Sequence, residues 1–205
     1  MNLKRPPNRY FDREIWKPIV PFGMDRNLST IVIIFTLLLS VPIILVWSDI
    51  IFVVSSIYFY FSSFGIMARI FLLLITLLYM FIITIIHEFF HALCCPKFDW
   101  KNTYLFFDKR ALGFSISYYH EMSKKRRMLF NAMPLIIISC IFYLLSLLIF
   151  NSGYLGPILR ITAVINLANS SADILGLFLI LKTPPGAIFC QGMWRECDSV
   201  AEKNY

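Results

Sequence analysis

The residues whose types and spacing suggest chemistry are two histidines four positions apart with a glutamate between them, His87-Glu88-Phe89-Phe90-His91. On a helix, residues four apart lie on one face, so both imidazoles can bind one metal ion while Glu88 projects beside them. Two imidazoles favour Zn²⁺ over harder cations. This HExxH pattern predicts a zinc site in which Glu88 is the general base that activates a zinc-bound water.

The composition around this motif is that of a membrane protein. Of the 205 residues, 59% are hydrophobic, 17% aromatic and only 15% charged, which lies outside the range of ordinary soluble domains. A spanning helix needs about 20 apolar residues, and four stretches have that length: 28–47, 70–95, 128–150 and 156–181. They predict an all-α membrane bundle of about four transmembrane helices. Pro42 and Pro134 predict kinks in the first and third.

A second polar stretch lies in the last predicted span. On a continuous helix, one face about 100° wide carries Thr162, Asn166, Asn169, Ser170 and Asp173. An ionisable residue within a bilayer is costly, so Asp173 requires a partner or a metal ion. The alternative interpretation is a polar residue in helix packing.

The depths of these residues favour Asp173 as the third metal ligand. At 1.5 Å per residue, His87 and Asp173 lie about 10 Å and about 12 Å inside two spans that run in the same direction. We therefore predict that His87, His91 and Asp173 bind Zn²⁺ and leave a fourth position open for water. Asn166 or Asn169 is the predicted hydrogen-bond donor to the substrate or the developing oxyanion, and the sequence does not choose between them.

A small cytoplasmic β-hairpin is predicted over residues 103–119, between the second and third spans. Its second arm, 113–118, alternates apolar and small polar side chains, and Lys109 and Arg110 lie in the predicted turn. We expect this arm to capture an unwound peptide as an added strand, which makes Ser115 and Ser117 candidate substrate-binding residues.

The distribution of positive charge predicts the orientation in the membrane. With the N-terminus inside, 17 of the 19 Lys and Arg residues fall in cytoplasmic segments, and only Arg69 and Arg160 fall at outer ends. This bias predicts a multi-pass protein with a cytoplasmic arm (1–27), a membrane domain (28–181) and a cytoplasmic tail (182–205). The net charge of +7 then reflects topology and anionic lipid, and it gives no reason to expect nucleic acid.

Three further features have more than one interpretation. Residues 50–64 are too few for a span and too apolar for a solvated loop, and we interpret them as interfacial or re-entrant, because a fifth span would place residues 97–127 outside. Cys94 lies on nearly the same helix face as the two histidines and is a competing metal ligand. His120 and Glu121 are interpreted as solvated surface.

Three motifs together resemble a known family: HExxH in a membrane helix, NSSAD at 169–173 and KTPPGA at 182–187. From about residue 65 to residue 192, the chain resembles small bacterial membrane proteins known as zincin-like peptidases. Through that family the chain is similar in plan to site-2 intramembrane metalloproteases, whose zinc is held by HExxH and an Asp on another helix. This resemblance implies the ligands His87, His91 and Asp173, the base Glu88 and a bacterial cell membrane.

The predicted function is a zinc-dependent, membrane-embedded endopeptidase that hydrolyses a peptide bond in or near a membrane segment. Its predicted partners are a membrane protein or peptide substrate and the lipid bilayer; the sequence does not predict an oligomeric state. The alternative is a non-enzymatic zinc-binding scaffold or sensor with the same ligands, and Glu88 distinguishes the two. An oxygen-using hydroxylase or desaturase is disfavoured because it needs many histidines, and the chain has only three.

Overall fold

Helices dominate the computed structural model, as the apolar composition requires. The structure describes residues 1–3, 11–12, 15–19, 25–61, 65–96, 99–108, 113–149 and 153–196. The helices and strands follow the chain in this order: β1 (Lys17–Pro18), α1 (Asp25–Ser40), a 3₁₀ segment (Val41–Val46), α2 (Trp47–Phe61), α3 (Ile66–Leu93), a 3₁₀ turn (Trp100–Asn102), β2 (Thr103–Asp108), β3 (Gly113–Tyr118), β4 (Met122–Ser123), α4 (Lys124–Pro134), a π-helical segment (Leu135–Ile141), α5 (Phe142–Leu148), α6 (Leu155–Asn169), α7 (Ser171–Leu181), β5 (Ile188–Cys190) and β6 (Met193–Arg195).

Three of the described helical runs are long and apolar enough to cross a membrane: Thr36–Phe59, Ile66–Leu93 and Lys124–Leu148. Helices α6 and α7 pass the same test together but are bent by 52°, so the number of candidate spans is three, or four if the bent pair is one span. Leu73 and Leu148 are among many large apolar side chains exposed along these helices. Such exposure is the pattern expected of contact with lipid.

The first candidate span differs from the predicted 28–47. It takes in residues 50–59, which therefore form part of a candidate span instead of the separate interfacial or re-entrant segment predicted for them; residues 62–64 lie outside the described residues. Pro42 does not end the helix, because it stands at the start of a 3₁₀ segment from which α2 continues. Asp49 is tolerated within the span because Arg160 donates two hydrogen bonds of 2.7 Å to its carboxylate.

The chain divides into two compact units, and the first comprises Met1–Ile33, Glu88–Met133 and Ala172–Tyr205. It contains an antiparallel four-stranded sheet in the order β1-β6-β5-β4, which the predicted all-α class omitted. These strands have only two or three residues each, too short for their alternation to be recognised in the sequence. The largest side chain fully buried in the structure, Phe189 of β5, lies in the apolar core of this unit.

The first unit also contains the antiparallel pair β2 and β3, with Thr103 opposite Tyr118 and Asp108 opposite Gly113. Both strands fall within the segment for which a hairpin is predicted. The predicted turn residues Lys109 and Arg110 lie outside the described residues. The outer edge of β2 is bonded by Asn2, which donates to the Thr103 carbonyl and accepts from the Leu105 amide, each at 2.9 Å.

The second unit comprises Ile34–His87 and Pro134–Ser171. Its apolar core is built around Val46, Ile161 and Val164. Pro134 ends α4, and the next seven residues are π-helical. The predicted kink is thus a change of helix type, which widens the turn and alters the direction of backbone carbonyls.

Ser170 interrupts the predicted polar face of the last span. Its amide makes an i→i−4 hydrogen bond of 2.8 Å to the Asn166 carbonyl, as in an α-helix, and its hydroxyl donates to the same carbonyl at 2.9 Å, a side-chain bond that often bends a helix. Helix α6 ends at Asn169, and the bend of 52° follows. The five residues therefore do not share one face: Thr162, Asn166 and Ser170 are buried, whereas Asn169 is exposed.

Candidate metal centre

The HExxH motif lies on one turn near the C-terminal end of α3. His87, Glu88 and His91 are all buried, with exposed fractions of 5%, 9% and 4%. Their possible ligand atoms all lie within 4.8 Å of one another. The helix therefore brings together the donor set that HExxH predicts, in a setting from which bulk water is largely excluded.

His91 is oriented by the backbone of α4. Its Nδ1 lies 2.7 Å from the Phe130 carbonyl oxygen, and its ring stacks on the Phe130 ring at 4.7 Å. Because a carbonyl oxygen only accepts, Nδ1 must carry the proton. A neutral His91 then presents its lone pair on Nε2.

The carboxylate of Asp173, in the first turn of α7, lies beside that lone pair. Its Oδ1 is 3.3 Å from His91 Nε2. A neutral imidazole and a carboxylate would face each other with two acceptors, an arrangement that a shared cation stabilises. Zinc bonds of about 2.0–2.2 Å at tetrahedral angles place neighbouring ligand atoms about 3.3–3.5 Å apart. The observed separation fits two ligands of one zinc ion.

His87 belongs to the second unit and is oriented by another side chain of the same unit. Its Nδ1 lies 2.9 Å from Oδ1 of Asn166, which is fully buried. The amide of Asn166 cannot be reversed, because its Nδ2 donates to the Pro134 carbonyl at 3.1 Å and to Ser139 Oγ at 2.9 Å. Asn166 Oδ1 is therefore the acceptor, and His87, like His91, carries its proton on Nδ1. This polar contact fixes which nitrogen is available to a metal.

Of the partners of the two imidazoles, Asn166 was identified in the sequence, but for contact with the substrate, and the Phe130 carbonyl was missed. The backbone carbonyls of Phe130 and Pro134 could not be identified as partners from the sequence, because every residue has a backbone carbonyl. Ser139 lies in the π-helical segment, so its position relative to Asn166 does not follow α-helical spacing. The only available signal was Pro134, which indicated an irregular helix but not its consequence.

The predicted substrate-binding residues have different environments. Asn166 uses both ends of its amide in the contacts with His87 and its neighbours, which favours a positioning role over a substrate contact. Asn169 is exposed. Ser115 and Ser117 are half-buried on β3, opposite Phe106 and Tyr104 of β2 respectively.

The structure also bears on the interpretations of Cys94, His120 and Glu121. Cys94 is buried in the apolar core of the first unit, and burial raises the pKa of its thiol. It therefore keeps its proton at neutral pH, which disfavours it as a ligand, since the thiolate is the form that binds metal. His120 is exposed, and Glu121 accepts a hydrogen bond of 3.1 Å from Arg195.

One comparison with known proteins bears on this site. The model of a family described as "Putative zincin peptidase" matches residues 80–188. The matched segment includes all four residues His87, Glu88, His91 and Asp173. No curated protein and no solved structure matches the chain.

Proposed function

Because the chain belongs to the family described as "Putative zincin peptidase", we propose that it is a zinc-dependent membrane endopeptidase that cuts a peptide bond in or near a membrane segment. His87, His91 and Asp173 hold the zinc ion, and Glu88 is the general base. The observation that carries the proposal is the 3.3 Å separation of His91 Nε2 and Asp173 Oδ1. The plan is that of site-2 intramembrane metalloproteases.

The chemistry divides between the metal and Glu88. Zinc, when bound, supplies the Lewis acidity that polarises a peptide carbonyl and makes water acidic enough to lose a proton near neutral pH. Glu88 takes a proton from the attacking water as the water oxygen bonds to the carbonyl carbon, and the C=O electron pair moves onto the carbonyl oxygen. When that pair re-forms the double bond, the C–N bond breaks, its electrons stay on nitrogen, and Glu88 returns the proton to the leaving amine.

The site works within a protein that crosses the membrane four times, with both termini cytoplasmic. The sheet of the first unit supports this topology, because it pairs β1 with β6, and β5 with β4. Strands joined by backbone hydrogen bonds lie on the same side of a bilayer. On the proposed topology the chain returns to that side between Ser123 and Ile188, with the bent pair α6 and α7 crossing as one span.

Metal analysis of the purified protein tests the ligand set. We expect one zinc ion per chain, and its loss in both His87→Ala and Asp173→Ala, because each variant removes one of three protein ligands. Asn169→Ala is the matched control, since Asn169 lies on the same bent pair as Asp173 but is exposed. Wild type without zinc, or Asp173→Ala with full zinc, contradicts the proposal.

The enzyme is distinguished from a zinc-binding scaffold or sensor by Glu88→Gln. The amide keeps the size of the side chain but cannot take a proton, so we expect zinc to stay and hydrolysis to fall by about 10²–10⁴-fold. Hydrolysis is measured by mass spectrometry on a library of membrane-segment peptides in proteoliposomes. Equal cleavage by wild type and Glu88→Gln argues for the scaffold.

A further inference from the structure

One cation beside the candidate metal centre has no role in the chemistry so far. Two members of the basic run 124–127 at the start of α4 donate to backbone carbonyls at or just after helix ends: Lys124 to the Leu181 carbonyl (3.2 Å) and Arg126 to the Cys95 carbonyl (3.1 Å). Such contacts satisfy the carbonyls at the C-terminal ends of α7 and α3. Lys125 is exposed. The fourth member of the run, Arg127, has a different environment.

Arg127 lies inside the first unit, against the same aromatic ring as His91. Its guanidinium carbon is 5.0 Å from the centre of the Phe130 ring, on which the His91 ring also stacks. Asp173 is the carboxylate that acts most strongly on the charge of Arg127. The guanidinium is thus held beside the His91 and Asp173 pair by aromatic packing and electrostatics.

The Nε of Arg127 is a buried donor with no hydrogen-bond partner among the described residues. A buried N–H of a charged group without an acceptor is costly, so such a group calls for a ligand. The Asp173 carboxylate is engaged with His91 at 3.3 Å. The Nε–H of Arg127 is therefore a donor suited to an anionic ligand.

A second donor lies on the same face of α4, one turn further along. Asn131 is buried, with an exposed fraction of 5%, and positions four apart on a helix are neighbours. Its Nδ2 lies so close to Gly176 of α7 that a Cβ at Gly176 would collide with it. Gly176 in turn lies three positions after Asp173, so the amide of Asn131 is held against the same helix that carries the candidate ligand.

We propose that Arg127 and Asn131 form an oxyanion-binding pair beside the metal, which holds the negatively charged oxygen formed when water adds to the substrate carbonyl. This inference rests on the proposed peptidase. The C=O electron pair that moves onto oxygen in that step is held by N–H groups of a fixed cation and a neutral amide, and it returns when the C–N bond breaks. Both donors are in place before the charge develops, so little reorganisation is needed.

Inorganic phosphate is a suitable probe, because it is a small tetrahedral oxyanion with no sequence requirement. The full-length protein is loaded with Co²⁺ in detergent, and phosphate binding is measured from the change in the visible spectrum of the metal. Arg127→Met is expected to raise the phosphate dissociation constant about ten- to a hundredfold, the usual effect of losing a charged hydrogen bond. Its Co²⁺ affinity stays unchanged. Asn131→Leu raises the phosphate constant severalfold, as expected for a neutral donor.

Two variants serve as controls. Lys125→Met removes the same charge from an exposed position on α4 and leaves phosphate binding unchanged. Arg127→Lys keeps the charge but not the planar fork, and it restores part of the affinity even if Arg127→Met folds poorly.

The outcomes separate this inference from the proposed function. Equal phosphate affinity in Co²⁺-loaded wild type and Arg127→Met, or no phosphate binding by the loaded wild type, overturns the oxyanion pair and leaves the metal site intact. Weaker Co²⁺ binding in Arg127→Met with unchanged phosphate affinity also overturns it, because Arg127 then only positions Asp173. A wild type that binds no Co²⁺ overturns the peptidase, and the oxyanion pair with it.

Discussion

At the scale of single residues, the imidazoles of the two candidate metal ligands, His87 and His91, are held in the same tautomer by different kinds of acceptor. His91 donates to the Phe130 backbone carbonyl, which no substitution of Phe130 removes. His87 donates to the side chain of Asn166, which a substitution can remove. The orientation of His87 is therefore the one that mutagenesis can test.

Asn166→Ala is expected to weaken zinc binding about ten- to a hundredfold without abolishing it. His87 loses the acceptor that fixes its Nδ1 proton, and loss of such an outer contact typically has this effect on metal affinity. The measurement is competition for zinc against a chelator of known affinity. Asn169→Ala, the same change at an exposed position of α6, should leave the affinity unchanged. Equal effects of the two changes would show that Asn166 does not orient His87.

Cys94→Ala is expected to keep full zinc occupancy. Burial raises the pKa of this thiol, so around neutral pH it stays protonated, which is the form that does not bind zinc. Zinc content is measured beside His91→Ala, which removes a ligand three positions earlier on the chain and should empty the site. Loss of zinc in both variants would make Cys94 a ligand.

At the scale of elements, the sequence identified which segments are irregular but not the form of the irregularity. Pro42 and Pro134 predicted kinks, and the structure has a 3₁₀ segment that includes Pro42 and a π-helical segment that follows Pro134. Proline removes one backbone donor in either case, and the surrounding packing decides how the helix accommodates the loss. The bend at Ser170 was missed because a polar helix face and a polar break have the same composition.

The ion pair between α2 and α6 predicts a strong effect of losing one partner. Arg160→Met leaves Asp49 uncompensated within a span and should lower the free energy of unfolding by about 3–5 kcal/mol. Replacing both partners, with Asp49→Leu and Arg160→Met, should recover most of that loss, because no unpaired charge remains. Unfolding is followed in mixed micelles by circular dichroism. The control is Arg69→Met, which removes an exposed arginine of α3 and should have little effect.

Strand β3 is the element expected to receive an unwound substrate. Within the described part of the chain its pairing is with β2 alone, so its other edge is available for strand addition. Ser117 lies opposite Tyr104, and its backbone N–H faces β2; Ser117→Pro therefore disrupts the pairing that holds β3 in place and should slow peptide cleavage while zinc content stays constant. Ser117→Ala keeps the backbone donor and should cleave as wild type does. Unchanged turnover in Ser117→Pro would count against an intact β3 as the substrate-binding strand.

At the scale of the whole molecule, the membrane class and the HExxH helix could be predicted because they rest on local patterns of hydropathy and spacing. The four-stranded sheet of the first unit could not, since it joins short strands from distant parts of the chain. Such pairing depends on which segments meet after the helices are placed, and two- or three-residue strands carry too little pattern to reveal it. That unpredicted sheet is the feature that bears most directly on topology.

The sheet predicts that the bent pair crosses the membrane, because β1, β4, β5 and β6 must share one side. Green fluorescent protein fused after Glu196 should therefore fluoresce, and alkaline phosphatase at the same position should be inactive, as for a cytoplasmic site. Alkaline phosphatase fused after Gly153, in the connection between α5 and α6, should be active, since that position follows an odd number of spans. If alkaline phosphatase is active at both positions, α6 and α7 form a re-entrant loop, and β5 and β6 cannot pair with β1 and β4 in the membrane.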